Sequence, residues 1–211
     1  FALSSIQTSG VQRSLINCFE RCGVPDAMLM DHGIPWWSNS NGHGLTKLSV
    51  FLIKQGIDLI YGASYHPQTR GKVERFHRTL DETLRYVGLP HTIADFRAAF
   101  ASFSQTYNDH RPHESLDMQV PAKRYSPSPR AYNPSPAPWT YPSGAEVCRL
   151  NSAGCLKYKG NRYFVCEALA NDDVGYQTFS DRLLVTYRHM HIREINLSTR
   201  RTKSLVQTVD S

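Results

Sequence analysis

Eight of the twelve prolines fall between Arg111 and Ser143, six of them at Pro127, Pro129, Pro134, Pro136, Pro138 and Pro142. Proline fixes φ and offers no backbone N–H, so neither a helix nor a central strand runs through such a stretch. The spacing predicts a semi-rigid, largely extended linker over residues 111–143. It divides the 211 residues into two parts with different periodicities.

Before the linker, short apolar runs alternate with helical patterns. An extended segment is expected at residues 1–7. A helix follows, capped by Ser9, with Val11, Leu15, Phe19 and Cys22 on one face and Gly23 as its stop. Ala27–Met30 reads as a buried strand, and residues 32–44 as a Gly/Asn/Ser/Trp loop. Leu45–Gln55 reads as a helix, Ile57–Tyr61 as a second strand, and Gly71–Val87 and Ile93–Tyr107 as helices. Alternation of this kind favours an α/β layer fold. After the linker, runs recur at Glu146–Leu150, Cys155–Tyr158, Arg162–Val165, Gly175–Phe179, Leu183–Tyr187 and His191–Ile195. They predict a small all-β module, a barrel or tight sandwich. The expected organisation is a core over 1–110, a linker over 111–143, a β-barrel over 144–198 and a flexible basic tail over 199–211.

The net charge of +6 favours a polyanionic partner. Residues 127–211 carry eleven cations against seven carboxylates and are the more basic part for their size. Five cysteines form no disulfide framework and suggest reduced thiols. Neither a signal peptide nor a membrane-length apolar run is present, so a cytoplasmic setting is the expectation.

Two acids sit where metal-dependent phosphodiester chemistry needs them. Asp31 ends a strand-like run. Glu74 opens a helix amid Arg70, Lys72, Arg75, His77 and Arg78. Magnesium takes hard oxygen ligands and keeps several waters, so a few carboxylates on rigid elements suffice. Each acid also has a plain reading, Asp31 as a turn residue before Gly33 and Glu74 as a solvated partner of Arg70 or Arg78. His66, Gln68, Arg70, Lys72, Arg75 and Arg78 can grip phosphates on either side of such a centre. Trp36 and Trp37 can stack on splayed bases or anchor their loop.

Longer motifs point the same way. Gly23-Val24-Pro25, Met30-Asp31-His32-Gly33, the run from Tyr65-His66-Pro67-Gln68-Thr69 through Arg78-Thr79-Leu80, and Tyr107–Leu116 followed by Pro121-Ala122 resemble the catalytic core of bacterial insertion-sequence transposases of the DDE type, the group with a retroviral-integrase-like core. The resemblance implies a ribonuclease-H-like fold, a mixed sheet flanked by helices, with its first strands missing here. It implies a triad of two aspartates and a glutamate, two Mg2+ (or Mn2+) ions, DNA cleavage and strand transfer, and a homo-oligomer acting on element ends and target DNA. Asp31 then matches the second aspartate and Glu74 the glutamate. The first aspartate has no counterpart, since no acid precedes Glu20, and the expectation is a truncated, catalytically inactive fragment. The alternative is a degenerate DNA-binding or partner-binding remnant that does no catalysis.

Overall fold

The computed structural model describes residues 7–38, 44–62, 67–206 and 208–209. Apart from Gln7, the extended segment expected at the start lies outside the described residues, as do His43 and His66. The chain packs as two compact units, one of residues 1–23 with 65–129 and one of 24–64 with 130–211.

The first unit is helical. Helix α1 spans Thr8–Cys22. It begins before Ser9, so Ser9 lies inside the first turn and does not cap it; the extended Gln7 holds the cap position and its carbonyl accepts from Gly10 and Val11. The helix stops at Gly23, whose φ of +75° suits a residue without a side chain, and a Cβ there would collide with the Ser128 carbonyl. Helix α3 (Pro67–Val87) and helix α4 (Ile93–Gln105) form a hairpin. The apolar side chains of α3 recur at Val73, Phe76, Leu80, Leu84 and Val87, one stripe at helical spacing. Phe76 meets Phe103 and Tyr107 edge to face at 5.6 and 5.2 Å, and Tyr107 meets His113 at 4.8 Å. Thr92 and Asp95 close a capping box at the start of α4.

The second unit joins a βαβ element to the β-rich region. Strand β1 (Ala27–Met30) lies parallel to β2 (Asp58–Gly62), with Ala27 opposite Asp58 and Met30 opposite Tyr61. Helix α2 (Lys47–Lys54) connects them and buries Leu48, Ser49, Val50, Leu52 and Ile53. Burying an aliphatic side chain contributes roughly 1.5–3 kcal/mol, so this helix is a large part of the unit's core. The α/β layer and its resemblance to a ribonuclease-H-like core hold for this region. A short strand β10 (Thr208–Val209) adds to the free side of β2, also parallel.

The β-rich region corrects the expectation of a barrel. Strands β3 (Glu146–Arg149), β6 (Asp173–Phe179), β7 (Arg182–Tyr187), β8 (Met190–Asn196) and β9 (Thr202–Ser204) form an open antiparallel sheet in the order β3-β6-β7-β8-β9. Among the described residues, strands β4 (Cys155–Tyr158) and β5 (Asn161–Phe164) pair only with each other. Closure needs hydrogen bonds between the two edges at a consistent tilt and stagger. Here β3 and β9 are three to four residues long and do not pair. The hairpin covers the sheet through its side chains: Leu156 is fully buried, and Tyr158 meets Tyr176 at 5.8 Å.

The proline-rich stretch is tied down at Arg130. Its guanidinium donates to the carbonyls of Pro25, Gln55 and Gly56 and to the Asp26 carboxylate at 2.6–3.0 Å, while its own carbonyl accepts from Val24. These carbonyls belong to the start of β1 and the end of α2, groups that the helix and sheet leave without partners. Further along, Arg188 donates to the carbonyls of Lys54 and Ala137, and Lys54 pairs with Asp172 at 3.1 Å.

Candidate functional site

Within the second unit, three aspartates flank the parallel strands. Two lie at the amino end. Asp26 is held by Arg130 at 2.9 Å, and Asp58 lies 3.2 Å from the His189 ring. Asp31 lies at the carboxyl end of β1. It is exposed and forms no ion pair among the described residues. Its Oδ1 accepts the Gly33 N–H at 2.8 Å, which fixes the carboxylate in a tight turn and leaves Oδ2 without a partner among the described residues. A Cβ on Gly33 would sit 2.9 Å from that same Oδ1, so a larger residue there would push the carboxylate aside. Ligands in open α/β sheets gather at the carboxyl ends of strands, and this is the end whose acid is left open.

The turn is anchored from beneath. The His32 ring meets Trp37 edge to face at 4.5 Å, and Trp37 meets Tyr61 at 4.8 Å. Tyr61 is fully buried, and burial pushes its phenol above the ordinary range, so it stays a neutral donor. Its hydroxyl donates to the Trp36 carbonyl at 3.0 Å and lies 3.1 Å from Ser49 Oγ, which also reaches that carbonyl. Ser49 in turn closes the capping box of α2 with Thr46. A chain of hydroxyls therefore links the start of α2 to the loop after Asp31. Of the two tryptophans, Trp37 is the anchor; Trp36 is half-buried and serves the network through its carbonyl.

Within the first unit, α3 presents Glu74 on a solvent face with Arg78, one turn along. Glu74, Lys72, Arg75 and Arg78 are all exposed, and none forms an ion pair among the described residues. The plain reading of Glu74 as a partner of Arg78 is therefore not met among the described residues, and the Arg70 side chain lies outside them. Asp81 and Arg85, on the same face, do pair, at 3.0 Å. The backbones of Gln68 and Arg70 lie in the first turn of α3. Asp31 and Glu74 belong to separate units.

The turn of Asp31 before Gly33 is legible in the sequence; the groups that support it are not. Ser49 and Tyr61 carry no signal, because their meeting depends on how α2 folds over β2.

Residues 55–121 match the family model of the integrase core domain, about a third of the chain. The matched stretch contains β2, all of α3 and α4, and the Tyr107–Leu116 motif, and with them Glu74, Lys72, Arg75 and Arg78. Asp31 lies outside it. The chain thus contains an integrase-core-like region. The donor chemistry of Asp31 and Glu74 fits a hard divalent cation. The number of donors falls short: among the described residues no group of three His, Cys, Asp or Glu side chains can hold a metal ion. No described helix is long and apolar enough to cross a membrane.

Proposed function

We propose that this chain carries part of a DNA-processing core of the transposase and integrase type, acting on phosphodiesters in cleavage and strand transfer. Asp31 and Glu74 are assigned as its metal-ligating acids and Mg2+ or Mn2+ as the ion. The ion would supply charge relief on the phosphate and an activated hydroxyl. The chain's own residues do the rest. The Gly33 N–H and the Trp37 anchor orient the Asp31 carboxylate. Lys72, Arg75 and Arg78, with His66, Gln68 and Arg70, grip the DNA backbone beside Glu74, and Trp36 reaches a base or sugar. A homo-oligomer would bring DNA ends together. The observation that carries this reading is the integrase-core match over the helix on which Glu74, Lys72, Arg75 and Arg78 stand exposed and without ion pairs among the described residues.

A second reading is a DNA-binding remnant in which the cations matter and the acids do not. It is favoured by the exposure of Lys72, Arg75 and Arg78, which have no carboxylate partner among the described residues. Asp31→Asn and Glu74→Gln separate the two when Mn2+ binding and duplex-DNA affinity are measured side by side. The enzyme reading expects both substitutions to weaken Mn2+ binding, with DNA affinity held or raised. Mn2+ binding indifferent to both would leave the remnant.

A further inference from the structure

The β4–β5 hairpin concentrates positive charge in a way the integrase-core match does not touch. Its register sets Lys157 directly opposite Arg162, and both are exposed. Like charges at directly opposed positions of an antiparallel pair are unfavourable. The tip is the two-residue turn Lys159-Gly160, with φ of +45° and +79°, which adds a third cation where Gly160 allows the backbone to reverse. The segment after β8 joins them: Arg200 donates to the Asn161 side chain at 3.3 Å, bringing Arg201 and Lys203 along in sequence. Residues 155–166 and 196–206 together hold six Lys and Arg and no carboxylate. Among the described residues none of the six forms an ion pair, whereas Arg182 on the adjoining sheet has both Asp181 and Glu194.

We infer that this hairpin tip and the Arg200–Lys203 segment form a site for the phosphodiester backbone of duplex DNA. The Tyr158 ring lies under Lys159 Nζ at 5.3 Å and against Tyr176 at 5.8 Å, so it is not a free platform for unpaired bases. The turn Tyr158-Lys159-Gly160-Asn161 has no aliphatic residue to enter a lipid surface. What remains is a narrow, cationic protrusion suited to a dense row of phosphates. The site shares its partner with the function proposed above and none of its residues.

The test is fluorescence anisotropy on the full chain with a 30-base-pair duplex of arbitrary sequence across a salt series. For Lys157→Gln/Lys159→Gln/Arg162→Gln the slope of log K against log salt should shrink by about 2.7, roughly 0.9 for each cation removed. Lys47→Gln, an exposed lysine on α2, should leave it unchanged. Arg162→Gln alone, expected to lower the slope by about 0.9, carries the test if the triple variant melts early. Asp31→Asn and Glu74→Gln should not alter the hairpin's contribution, so loss of the enzyme reading and loss of this site are separately visible. An unchanged slope in the hairpin variants overturns the inference. So does an equal loss of affinity for polyglutamate, which would make the site one for acidic protein.

Discussion

Helices α2 and α3 were equally legible as helices and do opposite things. The eight residues of α2 include five that are buried, and its amino end is closed by a capping box. The twenty-one residues of α3 bury only Leu84 among those whose side chains are described. Length and periodicity therefore say little about how much a helix holds the fold together; what matters is how many sides are covered. A helix covered on most sides has little room for charge, and α2 keeps its two lysines, Lys47 and Lys54, at its ends. A helix left in solvent can carry several cations at small cost to stability, which is what the binding face proposed for α3 requires.

Truncation on the two helices gives the largest expected contrast. Leu52→Ala should cost about 2–5 kcal/mol in denaturant unfolding, and Val73→Ala on the exposed part of α3 well under that. Similar losses from both would show that α3 is covered in the folded protein. Next comes Ser49→Ala. It removes a hydroxyl shared by Thr46, Tyr61 and the Trp36 carbonyl, and about 1–3 kcal/mol should be lost. The same substitution at exposed Ser102 on α4 should be near neutral in the same melts.

Alkaline pH acts on the sheet. Burial pushes the Cys148 thiol up to about 11, and the Glu146 carboxylate accepting its hydroxyl pushes Tyr176 up to about 12. The folded protein keeps these protons after the unfolded chain has released them. Stability is therefore at its plateau below the unfolded values and falls as pH rises toward 11–12. Tyr176→Phe should flatten part of that fall in urea titrations. The smallest effect on stability is expected for Lys72→Gln with Arg75→Gln, within about 0.5 kcal/mol of the parent, although DNA affinity should drop.

Much of the architecture could be read from local sequence. Ala27–Met30 is a strand with the expected bounds because Pro25 and Gly33 bracket four apolar residues. The β-rich region showed its strands through alternating side chains and its turns, to within a residue, through Gly160-Asn161 and Asn171-Asp172-Asp173; the first turn falls at Lys159-Gly160 and Asn161 opens β5. Whether that sheet closed was not legible, since closure depends on which edges meet, and β9 is a polar Thr-Lys-Ser that no hydrophobic pattern marks. At the candidate site the acids and cations were legible by type and spacing. Their surroundings were not: Trp36 and Trp37 are adjacent and look alike, and only the fold sends one against His32 and Tyr61.

Arg130 has a topological consequence. Its bonds reach back 74 to 105 positions along the chain, to groups on either side of α2. The chain leaves the second unit after β2 and rejoins it where this side chain is moored. The stretch between is thus an excursion with both roots on one scaffold. One side chain at the point of return thus fastens the amino end of β1 and the end of α2 together.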